Sequence, residues 1–216
     1  MQQTLDQISS ILPSDFFSVE VDIPYVGKRE AKDALKKKHL LPSFSGLLYE
    51  AAFAKVAAGW NEDLLVFDVT VEIPFEECFF PEYQKGDSIE LFIDTRNLKS
   101  AGFPTRFCHH FVICPRPIEG VYAREVTSFR TDDRHELCDP ERILVKGDFF
   151  RSRYFLKIVL PSDCLHGYDP SAFERLGFAY RINRKGEASQ HFALSSRYHS
   201  IQQQPSLWST IQLRKT

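Results

Sequence analysis

The chain has 216 residues, with 27 Lys and Arg against 29 Asp and Glu. That balance excludes the basic face of a dedicated nucleic-acid binder. No run approaches the roughly eighteen apolar residues of a membrane-crossing helix. Apolar residues make up 43% of the chain, enough for a sizeable core, and most of the 19 Phe, which lack a polar handle, belong inside it.

Alternation with a period of two is the main structural signal. Over residues 16–23, Phe17, Val19, Val21 and Ile23 form one face and Phe16, Ser18, Glu20 and Asp22 the other. Residues 28–40 suggest a short helix ending before Pro42, with Lys36, Lys37 and Lys38 on a solvated face. Residues 49–60 are Ala-rich yet read as a strand, because the next segment needs an antiparallel neighbour. Trp60 to Leu64 then form a hairpin tip. Residues 64–73 put Leu65, Phe67, Val69, Val71 and Ile73 inward, with Asp68, Thr70 and Glu72 outward. Residues 88–94 set Ile89, Leu91 and Ile93 against Ser88, Glu90 and Asp94. Residues 109–114, 154–160, 176–183 and 208–213 also read as strands. Residues 115–152 are mixed and polar, with one or two short strands among loops. Pro170 to Leu176 suggest a helical turn capped by Asp169 or Ser171. Turn chemistry separates these runs, as in Lys85-Gly86-Asp87 and Arg184-Lys185-Gly186.

Many short strands with little helix predict an all-β fold: an antiparallel, jelly-roll-like β-sandwich with one or two short helices. A single domain over residues 1–216 is expected, with residues 1–44 giving an N-terminal strand and a short helix. The five cysteines are Cys78, Cys108, Cys114, Cys138 and Cys164. An odd count without C-x-x-C pairs predicts no disulfides. The first ten residues lack the charged and apolar regions of a signal peptide. Together these point to a reduced, cytoplasmic location.

Several segments, in order, resemble the family 9 carbohydrate-binding modules and their DOMON-like relatives. They are Ala57-Ala58-Gly59-Trp60-Asn61-Glu62-Asp63-Leu64-Leu65-Val66, Arg106-Phe107-Cys108-His109-His110-Phe111, Tyr154 to Pro161, Leu176 to Asn183 and Trp208 to Leu213. The most specific is Gly86-Asp87-Ser88-Ile89-Glu90-Leu91-Phe92-Ile93-Asp94-Thr95-Arg96. The resemblance spans about residues 45–213 and implies a carbohydrate-binding-module-like sandwich. It also brings haem to mind, since some relatives bind it through Met and His. The only Met is Met1, so no Met ligand is expected, and no cofactor is.

Sugar binding needs flat aromatic faces and planar polar groups on one rim. The candidates are Trp60 at its hairpin tip, Trp208 near the last strand, Asp94 and Arg96 at a strand end, and His110. Each has a packing alternative; Asp94 and Arg96 could simply form an ion pair that ties down the next loop. Glu90 lies outward, near Arg106 or His110. His109 and His110 point to opposite faces of a strand and do not easily share an ion. One should be buried and the other exposed. His135-x-x-Cys138 has zinc-like spacing, with Cys164 and His166 available if the loops meet. A polar loop is the simpler reading, and no metal site is expected.

No nucleophile elbow, P-loop, dinucleotide fingerprint or H-E-x-x-H motif is present. A non-catalytic module for a saccharide or similar polyhydroxylated ligand is the first expectation. The second is a protein-docking sandwich that uses the aromatic loop Phe79, Phe80, Pro81 and Tyr83. The third is a glycoside-type hydrolase with paired acids on the same rim. No nucleic-acid or membrane partner is expected.

Overall fold

A computed structural model describes residues 19–215. Eleven strands among these residues form two sheets packed face to face. They are β1 (Glu20–Pro24), β2 (Ala54–Asn61), β3 (Leu64–Val71), β4 (Ser88–Asp94), β5 (Cys108–Ile118), β6 (Val121–Glu125), β7 (Leu144–Phe149), β8 (Tyr154–Pro161), β9 (Arg175–Asn183), β10 (Gln190–His191) and β11 (Ser209–Arg214). The larger sheet runs β1-β11-β9-β4-β5-β6, with β10 also on β9. The smaller runs β2-β3-β8-β7. All pairs are antiparallel except β1 with β11, which is parallel. The predicted sandwich is therefore present. Phe16 and Phe17 lie outside the described residues.

The alternation places the core. Leu65, Phe67, Val69 and Val71 of β3 face Ile89, Leu91 and Ile93 of β4 and Phe178 of β9, all in one buried cluster. Phe67 stacks on Phe178 across the two sheets at 5.6 Å. Gln190 is a polar clamp within this core. Its Oε1 accepts from the Phe53 and Ala54 amides at 2.9 and 2.8 Å, and its Nε2 donates to the Ala54 carbonyl at 3.0 Å. It thereby joins β10 of one sheet to the start of β2 of the other.

Both outer faces are partly covered. Val26, Ala31 and Leu35 cover Val66 on the smaller sheet. Ile201, Leu194 and Trp208 cover Phe92 and Ala179 on the larger one. Residues 28–40 form turns and a single 3-10 turn, Lys37–His39, rather than a helix. Here the covering segment gains more from seating Val26, Ala31 and Leu35 on the sheet than from regular helix. Among the described residues the one α-helical turn, α1, is Ser45–Leu48. The strand expected over residues 49–60 begins at Ala54.

The expectation of no disulfides is overturned: Cys138 and Cys164 are bonded, their Cα atoms 4.9 Å apart. Cys138 lies in the loop between β6 and β7, and Cys164 in the 3-10 turn after β8. Folding brings together two residues 26 apart in sequence, which no local motif announces. The reduced compartment rested on the cysteine count and loses that support. No described helix is long and apolar enough to cross a membrane.

Two outcomes test this architecture. Gln190→Ala strips partners from three buried backbone groups and should cost about 3 kcal/mol or more in urea denaturation. Cys138→Ser frees a loop of this length and should cost roughly 3 kcal/mol, while intact-mass measurement of the wild type without reductant shows two hydrogens fewer than after reduction.

Candidate ligand-binding site

The outward positions of β4, β5 and β9 build a polar cluster. β4 is buried along its whole length, lying between β5 and β9. Its outward Ser88 and Glu90 therefore meet neighbours on both sides. Register sets Glu90 opposite Arg181 and Ser88 opposite Asn183. Arg181 grips Glu90 in bidentate fashion, Nε to Oε1 at 2.6 Å and a terminal nitrogen to Oε2 at 2.7 Å. Asn183 donates to Glu90 Oε1 at 2.7 Å and to Ser88 at 2.9 Å. His110 Nε2 lies 2.9 Å from Glu90 Oε2. Burial pushes the Glu90 carboxyl up, but the hydrogen bonds from His110 and Arg181 and their charge outweigh it and hold it at about 2.

Aromatic groups sit beside this cluster. His110 stacks on Phe92 at 4.4 Å and meets the edge of Tyr83 at 6.1 Å. Tyr83 is half-buried and stacks with Phe80 at 6.4 Å. The Arg124 guanidinium lies over the Phe80 ring at 4.4 Å. Pro81 to Lys85 line a pocket of about 300 Å³ with Tyr83 in its wall. A larger groove of about 700 Å³ lies on the outside of the smaller sheet, with Leu64, Val121, Ile143 and Lys146 in its walls. The smaller pocket is the better candidate, because Tyr83 in its wall also meets His110 of the buried polar cluster.

The other predicted site residues are used differently. Trp60 is buried, not exposed at a tip. Its Nε1 donates to the Ile23 carbonyl at 3.0 Å and its ring meets the edge of Tyr25 at 5.3 Å. The strand β1 arrives from far away in sequence and covers the ring, so no face remains for stacking. Trp208 is likewise buried, donating to the Ile201 carbonyl at 2.7 Å. Asp94 accepts from the Arg96 and Leu98 amides at 2.9 and 2.6 Å and so caps the turn after β4. Arg96 does not pair with it through the side chain. Its guanidinium lies between the Phe107 and Phe173 rings and donates to the Thr95 and Gly167 carbonyls. Of the predicted set, only His110 belongs to the cluster. Arg106 pairs with Asp133 and not with Glu90.

His109 and His110 do face opposite ways, yet both are buried. His109 joins Glu125 and His135 on the core side. Cys138 and Cys164 hold each other, so neither offers a thiolate to His135 and the zinc-like spacing leads nowhere. Glu90, Arg181, Asn183 and Tyr83 are the residues here that sequence reasoning did not assign to a saccharide rim. Arg181 and Asn183 alternate outward as Glu90 does, but only the strand order shows that they meet.

No family model and no curated protein matches the sequence. Solved structures do match. A family 9 carbohydrate-binding module from Caldicellulosiruptor kristjanssonii in complex with glucose aligns with a TM-score of 0.66 and 15% identity, over 92% of this chain and 97% of that one. A module of that family from the same organism in complex with cellotriose aligns at 0.62 and 16%, over 92% and 95%. The fold is a family 9-like β-sandwich. At such identities the likeness concerns the fold alone.

Glu90 sets a pH dependence. Its folded value lies below the ordinary 4.5, so its stabilisation is complete above about 4.5 and is lost as pH falls toward 2. A shift of this size corresponds to about 3 kcal/mol. Urea midpoints should fall across that window, and Glu90→Gln should flatten part of the fall. At pH 7 the same variant should lose about 3 kcal/mol or more, because Arg181 is left buried and unmatched.

Proposed function

We propose that this chain is a non-catalytic saccharide-binding module that uses the outer face of its larger sheet. The observation that carries the reading is Tyr83, which lines the pocket, stacks with Phe80 and meets His110 of the buried Glu90–Arg181–His110–Asn183 cluster behind it. A pyranose ring has an apolar face suited to Tyr83 and a rim of hydroxyls suited to fixed planar groups. Glu90 orients those groups. Arg181 keeps further N–H donors beyond the two that Glu90 takes, and they stay fixed without the entropy cost of a free side chain. The likeness in fold to modules described in complex with glucose and cellotriose makes these sugars the first ligands to try.

Isothermal titration with glucose, cellobiose and cellotriose is the test. Saturable binding is expected, weakened about tenfold or more (about 1.4 kcal/mol) by Tyr83→Ala and unchanged by His166→Ala. An absence of heat with every sugar, or binding indifferent to Tyr83, would sink the reading.

A further inference from the structure

A second polar cluster lies on the other face of β5, at the edge of the core. His109 points inward there, its ring stacked parallel to Phe111 at 5.7 Å. Glu125 comes from the end of β6. His135 comes from the loop between β6 and β7, the loop that Cys138–Cys164 ties down. The His109 and Glu125 side chains are fully buried and that of His135 is 3% exposed. One nitrogen from each ring and one carboxylate oxygen lie within 4.8 Å of one another.

Hydrogen-bond accounting leaves this cluster short of a positive charge. Glu125 Oε1 lies 2.8 Å from His109 Nδ1 and 2.9 Å from His135 Nε2, and the Thr127 hydroxyl donates to it at 2.7 Å. The Cys138 amide donates to Oε2 at 2.8 Å. His135 is committed at its other nitrogen: Nδ1 lies 2.6 Å from the Arg106 carbonyl, which only accepts. Nδ1 therefore carries the proton. A neutral His135 then turns a bare lone pair toward a carboxylate oxygen, which requires a cation between them.

We infer that His109, Glu125 and His135 bind a divalent transition-metal ion of the zinc type. Two imidazoles and a carboxylate suit such an ion. The Arg106 carbonyl at His135 Nδ1, and the Thr127 and Cys138 donors on Glu125, are the kind of outer partners that orient metal ligands. Ligand atoms on bonds of about 2.0–2.1 Å sit roughly 3.0–3.4 Å apart around the ion. The two nitrogen–oxygen spacings, 2.8 and 2.9 Å, are a few tenths of an ångström shorter and the two nitrogens lie within 4.8 Å of each other, so small side-chain rotations bring all three to the ion. His166, exposed and stacked on His135 at 5.6 Å, guards the solvent side and is not counted as a ligand. The site is separate from the saccharide pocket, so either proposal stands without the other.

The experiment uses the full chain with its disulfide intact, free of any affinity tag and stripped with a chelator. Titration with Co2+ should give visible absorption bands saturating at one equivalent, and Zn2+ should displace them. His135→Ala should weaken binding at least a hundredfold, and His166→Ala should change it by less than about threefold. Because His135→Ala could disturb the loop, paramagnetic broadening by Co2+ in the wild type is read alongside it and should be strongest at the His109 and His135 rings. Absence of Co2+ bands would overturn the inference, since the missing cation would then be a proton on His135. Binding that leaves those two rings unbroadened would overturn it equally.

Discussion

Covering both faces of a sandwich imposes a price on the alternation that builds it. Half of each strand points away from the core, and some of those positions carry charge. Where loops then cover the sheet, each such charge loses water and must find a partner. On the larger sheet this falls on Glu90, the outward carboxylate of the most enclosed strand. Arg181, His110 and Asn183 answer it from both neighbouring strands. On the smaller sheet it falls on Asp68, which accepts from the Leu35 amide at 2.6 Å and lies 2.9 Å from the Lys157 ammonium. The strand order and the loop paths are thus mutually dependent: without these pairs neither covering segment could lie down.

The same rule explains why polar clusters gather around β5. Its successive residues His109 and His110 enter two different environments, one inside and one outside the sheet. Each imidazole finds a carboxylate on an adjacent strand, Glu125 on β6 and Glu90 on β4. Outside, the result is a preorganised polar floor beside aromatic rings. Inside, it is a compact donor set with a charge still to be matched. One strand therefore presents two kinds of chemistry a few ångströms apart without sharing a residue.

The inward faces were legible because they depend only on spacing along the chain. Leu65, Phe67, Val69 and Val71, and Ile89, Leu91 and Ile93, all sit where alternation puts them. What was not legible depends on which segments become neighbours. Trp60 looked exposed beside Asn61, Glu62 and Asp63, but its cover is Tyr25, 35 positions earlier. Arg96 looked like a free guanidinium, yet Phe107 and Phe173 approach it from two other segments. Cys138 and Cys164 could be joined from sequence only as metal ligands on loops that would have to meet, not as a disulfide, and His135 gave no sign of Glu125. The candidate site is the same case: of the residues singled out for it, His110 alone was placed by its strand, and Arg181 and Asn183 enter through register across β4.

The path of β1 has a mechanical side. The strand pairs with β11 at the edge of the larger sheet, and just beyond its end the Val26 amide donates to the Trp60 carbonyl on the smaller one, at 2.8 Å. One short run of backbone is thus stitched into both layers at a corner. Prising that corner open breaks bonds in both sheets together, so fraying cannot spread along one layer while the other stays shut. The two layers are coupled like the boards of a book at its spine, and amides of β1, β11 and the end of β2 should exchange with solvent as one cooperative unit.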